Sequence, residues 1–351
     1  MTSDRVADVV VVGAGPCGLA AAISLRAAGL ETIVFDAESV VSTITQYPTY
    51  ATFFSTAEKL SIGGMPFVVA HEKPTRRDAL AYYRAAVTHF RIPVHQFERV
   101  VDLGSRTVDG GLGEARPSSF LVRSVTRGGV ERVTAARAVV VATGYFGSPN
   151  WLGVPGELLP HVTHTYHEGH AAFQQNALVA GGGNSAAEAA LDLYRSGARV
   201  TLVHFGPTFD KKIKPWVLPD ITNRIAEGSI GVRWDSRVIA IDAEHVTLAR
   251  AGGEERLPAD HVYLMTGFAP NVALLRDAGV SLDARTGIPA HDLATLETDV
   301  PGIYIAGVVV AGYDANKVFI ENGRFHGDRI VASLLGRDAP AEPSLSAELD
   351  T

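Results

Sequence analysis

Asp8-Val-Val-Val-Val12-Gly13-Ala-Gly15-Pro16-Cys17-Gly18 decides the fold of this chain. Its valines form an unbroken apolar run of strand length, the pattern of a parallel strand buried on both faces. The alanine-rich Leu19–Ala28 that follows is helix-compatible, and Gly29 is its stop. Glu31–Phe35 is a second strand, with Asp36 at its end. Strand, glycine turn, helix and strand make a βαβ unit, and Gly13-x-Gly15-x-x-Gly18 sits where a dinucleotide fingerprint must sit. Gly13 allows the tight turn, Gly15 lets backbone approach a pyrophosphate, and Gly18 permits close helix–strand packing. The helix N-terminus faces the phosphate charge, and Asp36 is placed to accept ribose hydroxyls.

Working outward, 351 residues exceed one ordinary α/β domain, so two are expected. The doubly wound α/β class follows, with domains at 1–150 and 271–340 split around 151–270, and a loose tail at 341–351. The composition is 46% hydrophobic and 20% charged, enough apolar material for sizeable cores. A net charge of −7 argues against a general nucleic-acid binder, which needs excess positive charge. No apolar run approaches a membrane span, and no basic leader precedes the first strand, so a soluble, cytoplasmic protein is expected. Gly is high at 35, and Cys is 1. A single cysteine excludes an intrachain disulfide, a Cys-x-x-Cys pair and a multi-cysteine metal site.

Further along, Pro74–Phe90 reads as an amphipathic helix with Thr75 and Asp78 as a capping box. Short strands are expected at Phe97–Val101, Phe120–Thr126 and Ala138–Ala142, the last ending in Thr143-Gly144. The Tyr145–Gly156 loop, rich in Pro and Gly, is a domain boundary. The pattern then restarts. Asn176–Ala180 is a strand, Gly181-x-Gly183-x-x-Ala186 a second fingerprint, and a helix runs to about Ser196 before a strand at Arg199–His204. A strand at His261–Met265 ends in Thr266-Gly267, echoing the first half. Gly302–Ala306 is strand-like, and one helix is expected from about Ile320 to Leu335.

Two fingerprints imply two dinucleotides, most commonly a flavin and a nicotinamide. His204, not an acid, ends the second fingerprint's second strand, which leaves room for a 2′-phosphate and favours NADPH. Lys211, Lys212 and Lys214 are either its cationic partners or a solvated loop. His161, His164, His167 and His170 recur at three-residue spacing, but only Glu168 among carboxylates is adjacent, so a solvated linker is expected and no metal. Tyr47, Phe53 and Phe54 suit either a flavin ring or an ordinary core.

The paired fingerprints, the two Thr-Gly strand ends and Thr298-Asp-Val-Pro-Gly-Ile-Tyr-Ile-Ala-Gly307 resemble the thioredoxin-reductase-like branch of two-dinucleotide-domain flavoproteins. That family's Cys-x-x-Cys is absent: the region reads His164-Thr-Tyr-His-Glu-Gly-His170, which excludes dithiol exchange. The family's Gly-Asp near the flavin is Gly307-Val308 here. Those departures, with Tyr47-Pro-Thr-Tyr-Ala-Thr-Phe-Phe-Ser55, Glu72-Lys-Pro-Thr-Arg76 and Phe319-Ile-Glu-Asn-Gly-Arg-Phe-His-Gly327, are similar to the bacillithiol disulfide reductases. The resemblance implies FAD and NADPH, a small-molecule disulfide substrate and a homodimer. It implies FAD contacts at Gly13, Gly15, Pro16, Gly18, Asp36, Ala37, Val100, Thr143, Gly144, Gly307, Val308, Lys317 and Phe319. For the nicotinamide it implies Gly181, Gly183, Asn184, Ser185 and His204. The helix near Ile320 is expected to aim its N-terminus at the flavin pyrimidine.

Cys17 has two readings on chemistry alone: a nucleophile toward the substrate disulfide, or a small residue that fits the turn. The resemblance favours the nucleophile. A helix N-terminus lowers a thiol pKa while FAD phosphates oppose it, so modest activation is expected. A ferredoxin–NADP reductase of the same branch needs no Cys17. A flavin monooxygenase shares the double fingerprint, but its Phe-x-Gly linker motif is missing at Leu158–Tyr166. A non-catalytic flavin redox sensor is the remaining alternative.

Overall fold

The valine run becomes β1 (Ala7–Val12), with Val10 and Val11 wholly enclosed. Burying a side chain of that size contributes about 1.5–3 kcal/mol, so this strand anchors its sheet. The computed structural model describes residues 6–106, 119–210, 213–314, 317–338 and 340. The chain divides into two units, the first Met1–Thr45, Thr52–Ser148 and Ala269–Thr351, the second Gln46–Ala51 and Pro149–Phe268.

In the first unit, α1 (Pro16–Ala27) begins at the glycine turn and ends where Gly29 takes φ +84 and donates its N–H to Arg26 O. β2 (Thr32–Phe35) pairs parallel to β1, with Phe35 opposite Val12. Two short helices, α2 (Ser42–Thr45) and α3 (Ala57–Leu60), lead to α4 (Arg76–His89). The expected capping box holds: the Asp78 N–H donates to Thr75 Oγ1, and the Thr75 N–H returns to Asp78 Oδ2 at 2.9 Å. β3 (Val94–His95), β4 (Glu98–Arg106), β5 (Ser119–Thr126) and β6 (Glu131–Val141) complete this stretch. β6 is longer than the strand expected at Ala138–Ala142. Its first half alternates polar and apolar residues and pairs antiparallel to β5, while its buried end pairs parallel to β1. Only that buried end carries the apolar run visible in the sequence.

The second unit repeats the plan. β7 (Val162–Thr163), β8 (Asn176–Ala180), α5 (Asn184–Arg195), β9 (Arg199–Val203), α6 (Leu218–Ala226) and β10 (Gly231–Arg233) come first. β11 (Arg237–Ile241), β12 (His245–Arg250), β13 (Gly253–Pro258) and β14 (His261–Leu264) follow. A parallel sheet runs β10-β9-β8-β14-β7. The antiparallel sheet β11-β12-β13 does not appear in the sequence reading, because its strands are short and carry many charges.

The chain returns to the first unit through α7 (Ala273–Asp277) and β15 (Ile303–Ile305), which lies parallel to the end of β6. The first sheet is thus β3-β2-β1-β6-β5-β4 with β15 also on β6. The single helix expected from Ile320 to Leu335 is two: α8 (Ile320–Gly323) and α9 (His326–Leu334), broken at Arg324-Phe325. The break lets α9 press on α1. A methyl group at Gly327 would lie 2.6 Å from Ala21 Cα, and Ser24 Oγ donates to Asp328 Oδ1 at 2.6 Å. The tail expected at 341–351 lies outside the described residues.

Candidate functional site

The first glycine turn is built as its spacing requires. Gly13 has φ +112, and a methyl group there would lie 2.3 Å from Ala142 O. A methyl group at Gly18 would lie 2.0 Å from Gly13 O. Gly15 differs: nothing stands within 4 Å of its Cβ position, so it faces open space. Gly15 is also the N-cap of α1, no side chain caps that helix, and its first turn holds no acid. Pro16 has no N–H to lose at this position, and the Cys17 and Gly18 N–H groups lie in the first turn, where no intrahelical acceptor exists. An uncapped N-terminus beside an open glycine fits a pyrophosphate.

Asp36 fixes that turn: Oδ2 accepts from Ala14 N at 2.7 Å and Oδ1 from Glu38 N at 2.8 Å. Burial nevertheless raises its carboxyl above the ordinary range. Ala37 lies between these anchors, and β4 starts beside them, with the Glu98 N–H donating to Asp36 O at 2.9 Å. Val100 sits two residues along β4, half-buried against the core of the sheet. At the end of β6, the Ala142 N–H donates to Val12 O, which leaves exposed Thr143 and half-buried Gly144 (φ +69) next to the turn.

Cys17 lies between two glycines from the end of the unit. Its Sγ is 3.3 Å from the Cβ position of Gly307 and 2.7 Å from that of Gly323, so neither glycine tolerates a side chain. Gly307 has φ +70, and its N–H donates to Nδ1 of the buried His326 at 3.1 Å. Burial, with the positive charge of Arg329, pushes that imidazole down to about 4. Val308 follows, half-buried in a 3-10 turn. Lys317 is exposed, and its carbonyl accepts from Asn322 Nδ2. Phe319, 49% exposed, is the N-cap of α8, and its N–H donates to Asn322 Oδ1 at 2.8 Å. Glu321 on α8 accepts from Ser55 Oγ. The expected activation of Cys17 is reversed: burial and the charge of Glu321 push the thiol up to about 12, outweighing the helix dipole. Glu321, Ser55 and His326 were not assigned from sequence; Glu321 and His326 were marked only by their place in the Phe319–Gly327 motif, and Ser55 by its place in Tyr47–Ser55.

In the second unit Gly181 has φ +152, and a methyl group there would lie 2.4 Å from Met265 O. Gly183 caps α5 without a side-chain cap or an acid in the first turn, again a cradle for phosphate. Ser185 is exposed on that turn, and Asn184 Oδ1 accepts from Lys214 N at 3.2 Å. His204 departs from expectation. It does not stand open at the strand end but lies buried beneath the turn, its Cε1 2.3 Å from the Cβ position of Gly182. Its Nδ1 has no partner among the described residues, and Nε2 is 3.7 Å from Asp210 Oδ1. Lys211 and Lys212 lie outside the described residues. Lys214 acts on Glu188 beside the start of α5. Past the end of β9, the Arg237 guanidinium lies 4.8 Å above the exposed Phe205 ring.

The histidine cluster is not the solvated linker expected from the sequence throughout. His164 is about nine-tenths enclosed, 3.3 Å from Glu157 Oε1 and edge-on to Trp151. Glu157 also accepts the N–H groups of Leu152 and Gly153, which closes the linker on itself. Among the described residues no three such side chains gather as a metal site. Tyr47 groups with the second unit, whereas Phe53 and the exposed Phe54 belong to the first. No helix among the described residues is long and apolar enough to cross a membrane.

Two uncapped glycine turns and a thiol beside the first define a two-dinucleotide oxidoreductase. Residues 10–307 match the family described as pyridine nucleotide-disulphide oxidoreductase, and the chain belongs to it. Flavin and nicotinamide use go with that family. Bacilliredoxin reductase Bdr of Bacillus subtilis (strain 168) is 40% identical over 331 residues, covering 94% of this chain and 98% of that protein. The structure of bacillithiol disulfide reductase Bdr from Bacillus cereus has a TM-score of 0.89 at 40% identity, covering 95% of this chain and 100% of that one. Thioredoxin reductase of T. acidophilum shares the fold, with a TM-score of 0.68 at 21% identity over 95% and 99% of the two chains. The resemblance drawn from the motifs is borne out.

Proposed function

We propose that this protein is an FAD-containing, NADPH-dependent reductase of a low-molecular-weight thiol disulfide, of the bacillithiol type, acting through Cys17. The observation that carries the reading is the placement of the only cysteine in the first turn of α1, enclosed by Gly307 and Gly323. A chain with one thiol forms its mixed disulfide with the substrate, not with itself. FAD, when bound, supplies two-electron transfer between nicotinamide and sulfur. The Gly13–Gly18 turn, Asp36, Ala37, Val100, Thr143-Gly144, Gly307-Val308, Lys317 and Phe319 bind and orient it in the first unit. Gly181, Gly183, Asn184 and Ser185 hold the NADPH pyrophosphate in the second, with His204 bracing their turn from below.

NADPH consumption by FAD-loaded protein with bacillithiol disulfide, glutathione disulfide, ferredoxin and oxygen tests the reading. Bacillithiol disulfide is expected to give the fastest turnover, and Cys17→Ala to abolish it while FAD stays bound. Undiminished disulfide turnover by that variant sinks the thiol mechanism. The name of the Bacillus subtilis relative favours a second reading, in which the disulfide is carried on a small redox protein. A bacilliredoxin mixed disulfide in the same assay separates the two. We place the enzyme in the cytoplasm as a homodimer, and light scattering of the holoenzyme checks the dimer.

A further inference from the structure

We propose, resting on the reading of Cys17 as nucleophile, that His326 is a positioning residue for the thiol: it holds the turn that begins at Gly307 and so sets where the Cys17 sulfur lies. Gly307 opens the 3-10 turn Gly307–Ala311, where the first N–H groups have no partner within the turn. The buried Gly307 N–H donates to Nδ1 of His326 at 3.1 Å. A backbone N–H can only donate, so Nδ1 is the acceptor and the ring's one proton is on Nε2. Gly307 in turn lies against the thiol. Its Cβ position is 3.0 Å from Cys17 Cβ and 3.3 Å from Sγ. The Cβ position of Gly323 is 2.7 Å from the same Sγ and 3.4 Å from Gly307 Cα, so the sulfur and the two glycines meet at one point.

Both ends of this chain of contacts are fixed on α1. Cys17 is in its first turn. His326 is the first residue of α9, and α9 is seated on α1 about one and two turns further along. There the Cβ position of Gly327 is 2.6 Å from Ala21 Cα, and Ser24 Oγ donates to Asp328 Oδ1. Moving His326 relative to the sulfur therefore requires α9 to slide on α1. That seat is made by Gly327 and Asp328 and does not need the imidazole. The acceptor does. Burial, with the charges of Arg329 and His291, pushes the ring down to about 4, so at neutral pH Nδ1 carries no proton to repel the Gly307 N–H. An apolar side chain of similar size would fill the space but leave that N–H buried and unpaired.

Attack on a disulfide needs the sulfur in line with the bond it breaks, and a misplacement of about 1 Å costs about 100-fold in rate. Packing from Gly307 and Gly323 gives Sγ its place, and Gly307 keeps its own place through the bond to His326. His326 itself touches Gly307 and acts on the thiol only through that glycine.

His326→Leu, which removes the acceptor, and His326→Asn, which keeps one, test the proposal together on FAD-loaded protein. Asparagine Oδ1 hangs from Cγ as Nδ1 does, so it reaches the same N–H. Iodoacetamide labelling of the half-buried Cys17 at mildly alkaline pH is expected to run about 10-fold faster in His326→Leu, because a loosened turn uncovers the thiol. In His326→Asn it is expected to stay within about 2-fold of wild type. With bacillithiol disulfide, kcat of His326→Leu is expected to fall about 100-fold at unchanged KM, and that of His326→Asn to stay within about 3-fold of wild type. A space-filling role alone predicts the reverse order, since leucine fills the site better than asparagine. Labelling at the wild-type rate in His326→Leu overturns the positioning, as does an equal or greater loss of kcat in His326→Asn. If His326→Leu does not hold FAD, His326→Gln replaces it, its amide standing at the distance of Nε2, and the same outcomes decide. Cys17→Ser separates the underlying reading, because labelling does not require turnover. Fast labelling in His326→Leu beside an active Cys17→Ser keeps the positioning and removes the nucleophile. Wild-type labelling beside an inactive Cys17→Ser removes the positioning alone.

Discussion

Replacing His326 with asparagine is expected to remove an acid-sensitive contribution to stability. The imidazole is buried, and its Nδ1 accepts the Gly307 N–H, so the folded protein holds it neutral. Burial and Arg329 push its pKa from the ordinary 6.5 to about 4. The unfolded chain therefore binds a proton between those values that the folded chain refuses. Stability from this group is fully present above 6.5 and is lost as pH falls toward 4. The two values correspond to about 3 kcal/mol, a large share of a typical folding free energy. Asparagine Oδ1 replaces the Nδ1 acceptor and does not titrate, so Gly307 keeps its hydrogen bond. Urea unfolding at about pH 7 and about pH 4 gives the comparison. Wild type is expected to lose about 3 kcal/mol more than His326→Asn across that interval. Equal losses would show that His326 already carries a proton in the fold, and the burial argument would fail.

Gly15 and Gly18 are expected to separate cofactor binding from folding. A methyl group at Gly15 meets nothing within 4 Å, so Gly15→Ala should unfold within about 1 kcal/mol of wild type yet bind FAD at least about 100-fold more weakly by fluorescence titration. Gly18→Ala forces a contact of 2.0 Å with Gly13 O and should destabilise even the cofactor-free protein; two variants of equal stability would contradict this. Arg237, stacked over Phe205, has no carboxylate partner among the described residues, so Arg237→Ala should raise KM for NADPH about 10-fold and leave KM for NADH unchanged. Equal effects on both would place Arg237 away from the 2′-phosphate. Thr75→Ala removes the α4 cap, which also helps hold Asp78 at about 2, and should lower stability by about 1 kcal/mol in thermal unfolding.

What could be read in the sequence follows from how locally each feature is determined. The Gly13–Gly18 turn was legible because a tight turn, an open backbone and a packed helix each require glycine within six residues of one strand. The capping box was legible for the same reason, since Thr75 and Asp78 satisfy each other over three residues. The thiol environment was not. Its partners Gly307, Glu321 and Gly323 come from the far end of the chain, and pairing across some 300 residues leaves no local periodicity. The helix dipole is a local fact about Cys17 and gave the wrong direction, because desolvation depends on what covers the thiol. His204 misled likewise: its position at the strand end was visible, but its burial under Gly182 depends on β10 and the loop through Asp210. In both cases the position along the chain was read correctly, but what covers the side chain was not. What covers the Cys17 sulfur is Gly307 and Gly323, and Gly323 stands on the short helix that the sequence pattern merged with its neighbour.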